Sequence, residues 1–313
     1  MPTTVRTAAA SLRVLLAQAI DYAGLYPPAS LDMRAGVANY ERYLNHPQHW
    51  ALGRFVLAAS ELPEFLKARQ ELREREGAAA SESWGLSAIL SANFSQELAQ
   101  VAEFNRMAPG AVVDSVEVRV STPEELELVR KHRPSDTALF FEIAPERTDE
   151  LLPLISREGG HAKLRTGGVV PEAFPSIAMV AGFLARCAEL GLPFKATAGL
   201  HHPLRCMAPL TYEEGSARHT MCGFLNLFTA AAIAWHAREA ASPAPLAAIP
   251  ACLSDPERAH WHFGEDGMTW SGDATQARFG LDALVEMRAR FALSFGSCSF
   301  EEPIDELRGL ALL

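Results

Sequence analysis

Lysine is scarce in this chain. Of its 28 basic residues only four are lysines: Lys67, Lys131, Lys163 and Lys195. Arginine serves where a permanent charge suffices, but it cannot surrender its proton inside a protein, whereas lysine can. Two of the four, Lys163 and Lys195, sit within apolar strand patterns, where a neutral amine would be useful. Cysteine is sparse too. Cys187, Cys206, Cys222, Cys252 and Cys298 are odd in number and form no CxxC pair. That excludes a disulfide framework or a zinc knuckle and fits a reducing compartment, so a soluble cytoplasmic protein is expected. Positive charge is not in excess: the formal net charge is −10 at pH 7. Non-specific nucleic-acid binding needs a basic face and is excluded as a function. No segment approaches the ~20 apolar residues of a membrane span, so no membrane partner is expected. The apolar residues near the N-terminus recur at helical spacing, interrupted by Arg13 and Gln18, and read as an amphipathic helix rather than a signal peptide.

What is present is a rhythm. After an N-terminal helical cap over 1–50, with helices at 7–20 and 34–45 and a turn-rich loop at 21–33, strands alternate with helices. The strand readings are 53–59, 86–91, 115–120, 138–144, 161–168 and 193–199. The helix readings between them are 62–76, 95–107 (Ser95 as N-cap), 122–132, 145–160 and 174–191. Thr122 with Glu125 forms a capping box, and glycines close the last two helices. Six such units over 53–199 with short connections predict a parallel sheet with right-handed crossovers. The first strand–helix turn, AASELPEF, has no GxGxxG, which removes the usual mark of a nucleotide-binding open sheet.

Alternation within the strands selects a closed barrel. Val116, Val118 and Val120 alternate with Ser115, Glu117 and Arg119; Ala162 and Leu164 alternate with His161, Lys163 and Arg165. Strands covered by helices on both faces should be almost continuously apolar. One charged face per strand fits a barrel lumen. The expected fold is therefore an α/β TIM-type (β/α)8 barrel, one domain over 1–313. Residues 200–313 are irregular: a seventh strand hidden near 218, helices over 218–240, 244–253 and 274–290, a late hairpin at 260–272 around EDG, and a last strand at 291–297. The alanine-rich stretches 78–80 and 239–248 read as loop or helix ends.

Barrel enzymes carry reactive groups at the C-terminal ends of their strands. The inward candidates are Glu117, Arg119, Glu142, His161, Lys163, Arg165, Lys195 and Thr197, which predict a net basic lumen suited to a small anionic substrate. Arg165 followed by Thr166-Gly167-Gly168 suggests carboxylate or phosphate binding, because adjacent glycines let backbone N–H groups approach an oxyanion. His201 and His202 follow the strand of Lys195 and are candidate proton carriers. Asp21, Tyr22 and Cys298 read as more often structural than functional.

A lysine desolvated beside other cations has a lowered pKa and can attack a carbonyl. Lys195-Ala-Thr197-Ala-Gly199, on what counts as the sixth strand, is similar to the K-T-S-T-G context of the class I, deoxyribose-phosphate-type aldolases. Ala-Lys163-Leu-Arg-Thr-Gly-Gly matches about as well. The resemblance implies a Schiff-base lysine on the sixth barrel strand, with carbon–carbon bond cleavage or formation and no cofactor. That family also has a second lysine on its seventh strand and an aspartate acid/base; no lysine follows Lys195 here. The leading expectation is a lyase with Lys195 or Lys163 as nucleophile and Glu142, His201 or His202 moving protons. One alternative is a metal-assisted isomerase or hydrolase using a histidine with Glu117 and Glu142, although no HExxH motif is present. Another is a non-catalytic anion-binding barrel. A homo-oligomer is expected in each case.

Overall fold

The computed structural model describes residues 8–76, 83–108, 110–132, 136–238 and 244–313. Eight strands form a closed barrel: Ile20–Tyr22, Leu52–Ala58, Trp84–Ile89, Ala111–Arg119, Ala138–Glu142, His161–Arg165, Phe194–Thr197 and Ala292–Ser297. They pair in chain order, all parallel. The eighth returns to the first with Ile20 opposite Phe295, Asp21 opposite Gly296 and Tyr22 opposite Ser297. The chain is thus an α/β protein of the TIM-type (β/α)8 barrel fold.

The alternating strand pattern does the positioning. Val116, Val118, Leu139, Phe141, Ala162 and Leu164 are all buried. With a side-chain period of two, the intervening Glu117, Lys163 and Lys195 face the lumen. Helix ends obey local chemistry as expected. Thr122 Oγ1 accepts from the Glu125 N–H at 3.2 Å, and a Glu125 carboxylate oxygen accepts from the Thr122 N–H at 3.3 Å. Gly159 and Gly191 end their helices at φ +66° and +59°, a region other residues enter at a steric cost. The second helix of the series, Phe94–Met107, begins after Asn93 and not at Ser95.

The strand count changes. Ile20–Tyr22, where the end of a helix at 20 and the start of a loop at 21 with Pro27 and Pro28 as breakers were expected, is the first barrel strand. The strand at 52–58 is therefore second, Lys163 lies on the sixth and Lys195 on the seventh. No barrel strand hides near 218: Arg218–Met221 pairs antiparallel with Cys206–Pro209 in a separate hairpin. The late hairpin, Trp261–Phe263 with Gly267–Ser271, gains a third strand at Gln276–Gly280, and the helix expected from 274 starts at Leu281. Of the alanine-rich stretches, 78–80 and 239–243 lie outside the described residues. Among the described residues no helix is long and apolar enough to cross a membrane.

Candidate active site at the barrel mouth

Lys163 and Lys195 stand in register on adjacent strands, so their side chains enter the lumen at one level. Glu117, from the fourth strand, lies between them. One of its carboxylate oxygens accepts from Lys195 at 2.6 Å and the other is 2.7 Å from Lys163 Nζ. Lys195 also donates to Asp21 at 2.6 Å, and Lys163 Nζ lies 2.7 Å from Glu142. Hydroxyls complete the floor: Ser87 donates to Glu117 at 2.6 Å and Ser294 to Asp21 at 2.7 Å. The second oxygen of Asp21 accepts the Arg54 backbone N–H at 2.9 Å. Lys195 Nζ also sits 5.3 Å from the centre of the Phe140 ring. Asp21, Glu117, Lys163 and Lys195 are all buried. Removing such charges from water is costly, and close pairing with added hydrogen bonds is what offsets it.

This arrangement corrects two expectations. The lumen floor is not net basic, because Asp21 joins Glu117 and Glu142 against two ammonium groups; the surplus positive charge is at the rim, on the exposed Arg119 and Arg165. Nor does a neighbouring cation depress Lys163. Burial would lower its pKa, but Glu117 and Glu142 outweigh burial and raise it. Burial likewise favours the protonated form of Glu117, and the two lysines override it, holding the carboxyl far below the usual range.

Above the floor opens a cavity of about 590 Å³, whose lining includes Glu117, Glu142, Lys163, Lys195, Arg119, Arg165, Gly168 and Thr197. Arg165 Nε stands 4.0 Å from Glu142, leaving much of its guanidinium to the cavity. Thr166 is differently employed: its hydroxyl donates to the Ala198 carbonyl at 2.6 Å, clasping the loops after the sixth and seventh strands. Gly167 serves the same contact, since a Cβ there would come within 3.0 Å of the Gly199 Cα. Neither lines the cavity, whereas Gly168 does. His161 stacks on Phe140 at the start of the sixth strand, at a ring-centre distance of 4.9 Å.

The adjacent histidines take different partners. His202 Nδ1 meets Glu306 at 2.5 Å. Hydrogen bonding to Cys206 and Glu306 raises His202 to about 10. His201 Nδ1 faces Ser297 Oγ at 3.3 Å, Glu302 at 3.5 Å and Cys298 Sγ at 3.8 Å. Burial would lower His201, but Cys298 and Glu302 raise it to about 9. Neither histidine meets Glu117 or Glu142, which are committed to Lys163, so the metal set expected from the sequence is not assembled.

Sequence reasoning gave no site role to several residues of the floor and the cavity. Asp21 belongs to a strand too short to show alternation. Glu302 and Tyr212 reach the mouth from the final helix, Glu301–Gly309, and from the turn of the extra hairpin. The Tyr26 hydroxyl is buried against the cavity with no hydrogen-bond partner among the described residues. Its proline-flanked position gave only a turn signal.

Fold and site together define a parallel (β/α)8 barrel with an ion-paired lysine couple at its mouth. No known family model and no curated protein matches the sequence. Two solved structures are similar. FabK from Thermotoga maritima aligns at 15% identity over 63% of this chain and 56% of that one, with a TM-score of 0.37. A methionine-to-alanine mutant of that FabK aligns at 11% identity over 98% of both chains, with a TM-score of 0.39. At these scores the likeness carries no argument about activity.

Proposed function

We propose that the protein is an enzyme, a lyase of aldolase type acting on a small anionic carbonyl compound through a Schiff base on Lys163. The observation that carries the reading is the buried lysine couple on the sixth and seventh strands, joined by Glu117 at the floor of a cavity. Recounting from Ile20 gives Lys163 the sixth-strand position that the resemblance assigns to the reactive amine. It also supplies, in Lys195, the seventh-strand lysine that had no counterpart in the sequence count.

Lys163 rests as an ammonium. Its proton passes to Glu117 or Glu142 as the amine attacks the carbonyl carbon. Return of that proton to the carbinolamine oxygen releases water and leaves an iminium. The ammonium and carbonyl thereby become iminium and water, with charge conserved. Glu142, at the more open side of the pair, is positioned to take the proton of a substrate hydroxyl as the carbon–carbon bond breaks. The electron pair goes to the iminium, forming an enamine. Lys195 remains the fixed positive charge beside it. Arg165 and Arg119 at the rim, with the Gly168 backbone, suit a carboxylate or phosphate on the substrate. No cofactor enters this scheme.

Borohydride reduction in the presence of small keto acids and sugar phosphates tests it. An irreversible adduct on Lys163, mapped by peptide mass, is expected with any compound that is turned over. Turnover without an adduct on either lysine would refute the Schiff base.

A further inference from the structure

In the lining of the same cavity, three donors of different chemistry converge. His201 Nδ1, Cys298 Sγ and a Glu302 carboxylate oxygen all lie within 4.8 Å of one another. They come from the loop after the seventh strand, the residue after the eighth, and the final helix. All three residues line the cavity.

The separations suit a single ion. With bond lengths of about 2.3 Å to sulfur and about 2.0–2.1 Å to nitrogen and oxygen, tetrahedral geometry spaces sulfur from nitrogen by about 3.6 Å and nitrogen from oxygen by about 3.4 Å. The observed spacings are 3.8 and 3.5 Å. Hydrogen bonding explains the convergence poorly. One ring nitrogen carries one lone pair or one proton, yet Ser297, Cys298 and Glu302 all crowd it. An ion at their centre engages sulfur, nitrogen and oxygen together. Neutral imidazole, thiolate and carboxylate also balance a divalent charge.

We propose that His201, Cys298 and Glu302 form a binding site for a zinc-class divalent ion, with its fourth coordination position open to the cavity. The mixed nitrogen, sulfur and oxygen set favours a borderline-soft ion over magnesium or calcium. On binding, Cys298 and the imidazolium of His201 each release a proton to solvent. The Tyr212 hydroxyl, 3.5 Å from Cys298 Sγ, is placed to donate to the bound thiolate. The open position takes an anionic oxygen of whatever ligand fills the cavity. The site uses none of the residues of the lysine couple.

Equilibrium dialysis of the full chain, stripped with chelator and titrated with zinc alone, tests the site. One zinc per chain is expected, and cobalt in its place should give a sulfur-to-cobalt charge-transfer band. Cys298→Ser should abolish the band and weaken zinc at least about tenfold. Glu302→Gln, an isosteric change at a partly exposed side chain, should weaken zinc similarly. Cys206→Ser, whose thiol neighbours His202, and Lys163→Met should leave zinc binding unchanged. Failure to bind zinc, or binding that survives in Glu302→Gln and Cys298→Ser, or binding lost in Cys206→Ser alone, would overturn the proposal. Retention of zinc by a protein that forms no borohydride adduct would separate this site from the Schiff-base reading.

Discussion

Lys163 and Glu117 meet at 2.7 Å with both side chains almost wholly withdrawn from water, 6% and 3% exposed. Each helps hold the other in its charged form against burial, with Glu142 and Lys195 sharing the task. Glu117→Gln preserves shape and removes the charge, leaving two ammonium groups short of a counter-ion. Breaking one partner of a buried pair typically costs about 3–5 kcal/mol. A loss in that range is expected in denaturant unfolding, and a change within error of zero would mean that Asp21 and Glu142 alone suffice for the lysines.

The two lysines should separate in trapping experiments. Lys163→Met is expected to abolish the borohydride adduct and lower turnover at least about a thousandfold, the scale seen when a nucleophile is removed. Lys195→Met should still form an adduct, more slowly. The opposite pattern would transfer the nucleophile's role to Lys195.

The raised pKa of Lys163 fixes a pH dependence for adduct formation. Lys163 rests as an ammonium and its proton passes to Glu117 or Glu142 within the site, so the trapping rate should be level in pH wherever the amine is protonated and the carboxylates are not. A rate that rises about tenfold per pH unit would show that the proton must first be lost to solvent.

Stability follows the same ion pair with signs that can be worked out. Glu117 is depressed, so its contribution is complete above the ordinary value of about 4.3 and is lost as pH falls toward its folded value. Lys163 is raised, so its contribution is complete below about 10.4 and is lost as pH rises through its folded value. From this pair the unfolding free energy should be level between those limits and fall outside them. Glu117→Gln should flatten the acid limb when both proteins are titrated side by side.

Gly53 gives a steric test of the floor. A Cβ there would lie 2.4 Å from Asp21 Oδ1 and 3.0 Å from the Gln18 carbonyl. Gly53→Ala should push Asp21 off Lys195 and cost about 1–3 kcal/mol, the usual range for overpacking. Thermal unfolding measures the loss. An unchanged midpoint would show that the second strand shifts freely at this point.

Periodicity made the regular units legible. Glu117, Glu142, Lys163 and Lys195 were found because charge alternates with apolar residues along their strands, and the barrel followed from that one-sidedness. The first strand escaped because three residues, Ile20–Tyr22, are too few to display a period, and because the prolines behind them dominate the local signal. That one omission shifted each later strand by one and placed Lys195 on the wrong position in the ring. The His201, Cys298 and Glu302 cluster carries no spacing signature. Pairing of the seventh strand with the eighth brings residue 201 to residues 298 and 302. The pairing of carboxylates with the lysines was invisible for a similar reason: Asp21 and Lys195 are 174 positions apart.

Joining of the first strand to the eighth also has a consequence for biosynthesis. Until residues 292–297 have left the ribosome, the nascent sheet has two open edges, and Asp21 lacks the hydroxyl of Ser294. Contacts this distant along the chain are slow to form, since loop closure must precede the gain. The Asp21 end of the floor is therefore completed late in synthesis, and a chain truncated before its last strand should expose those edges to aggregation.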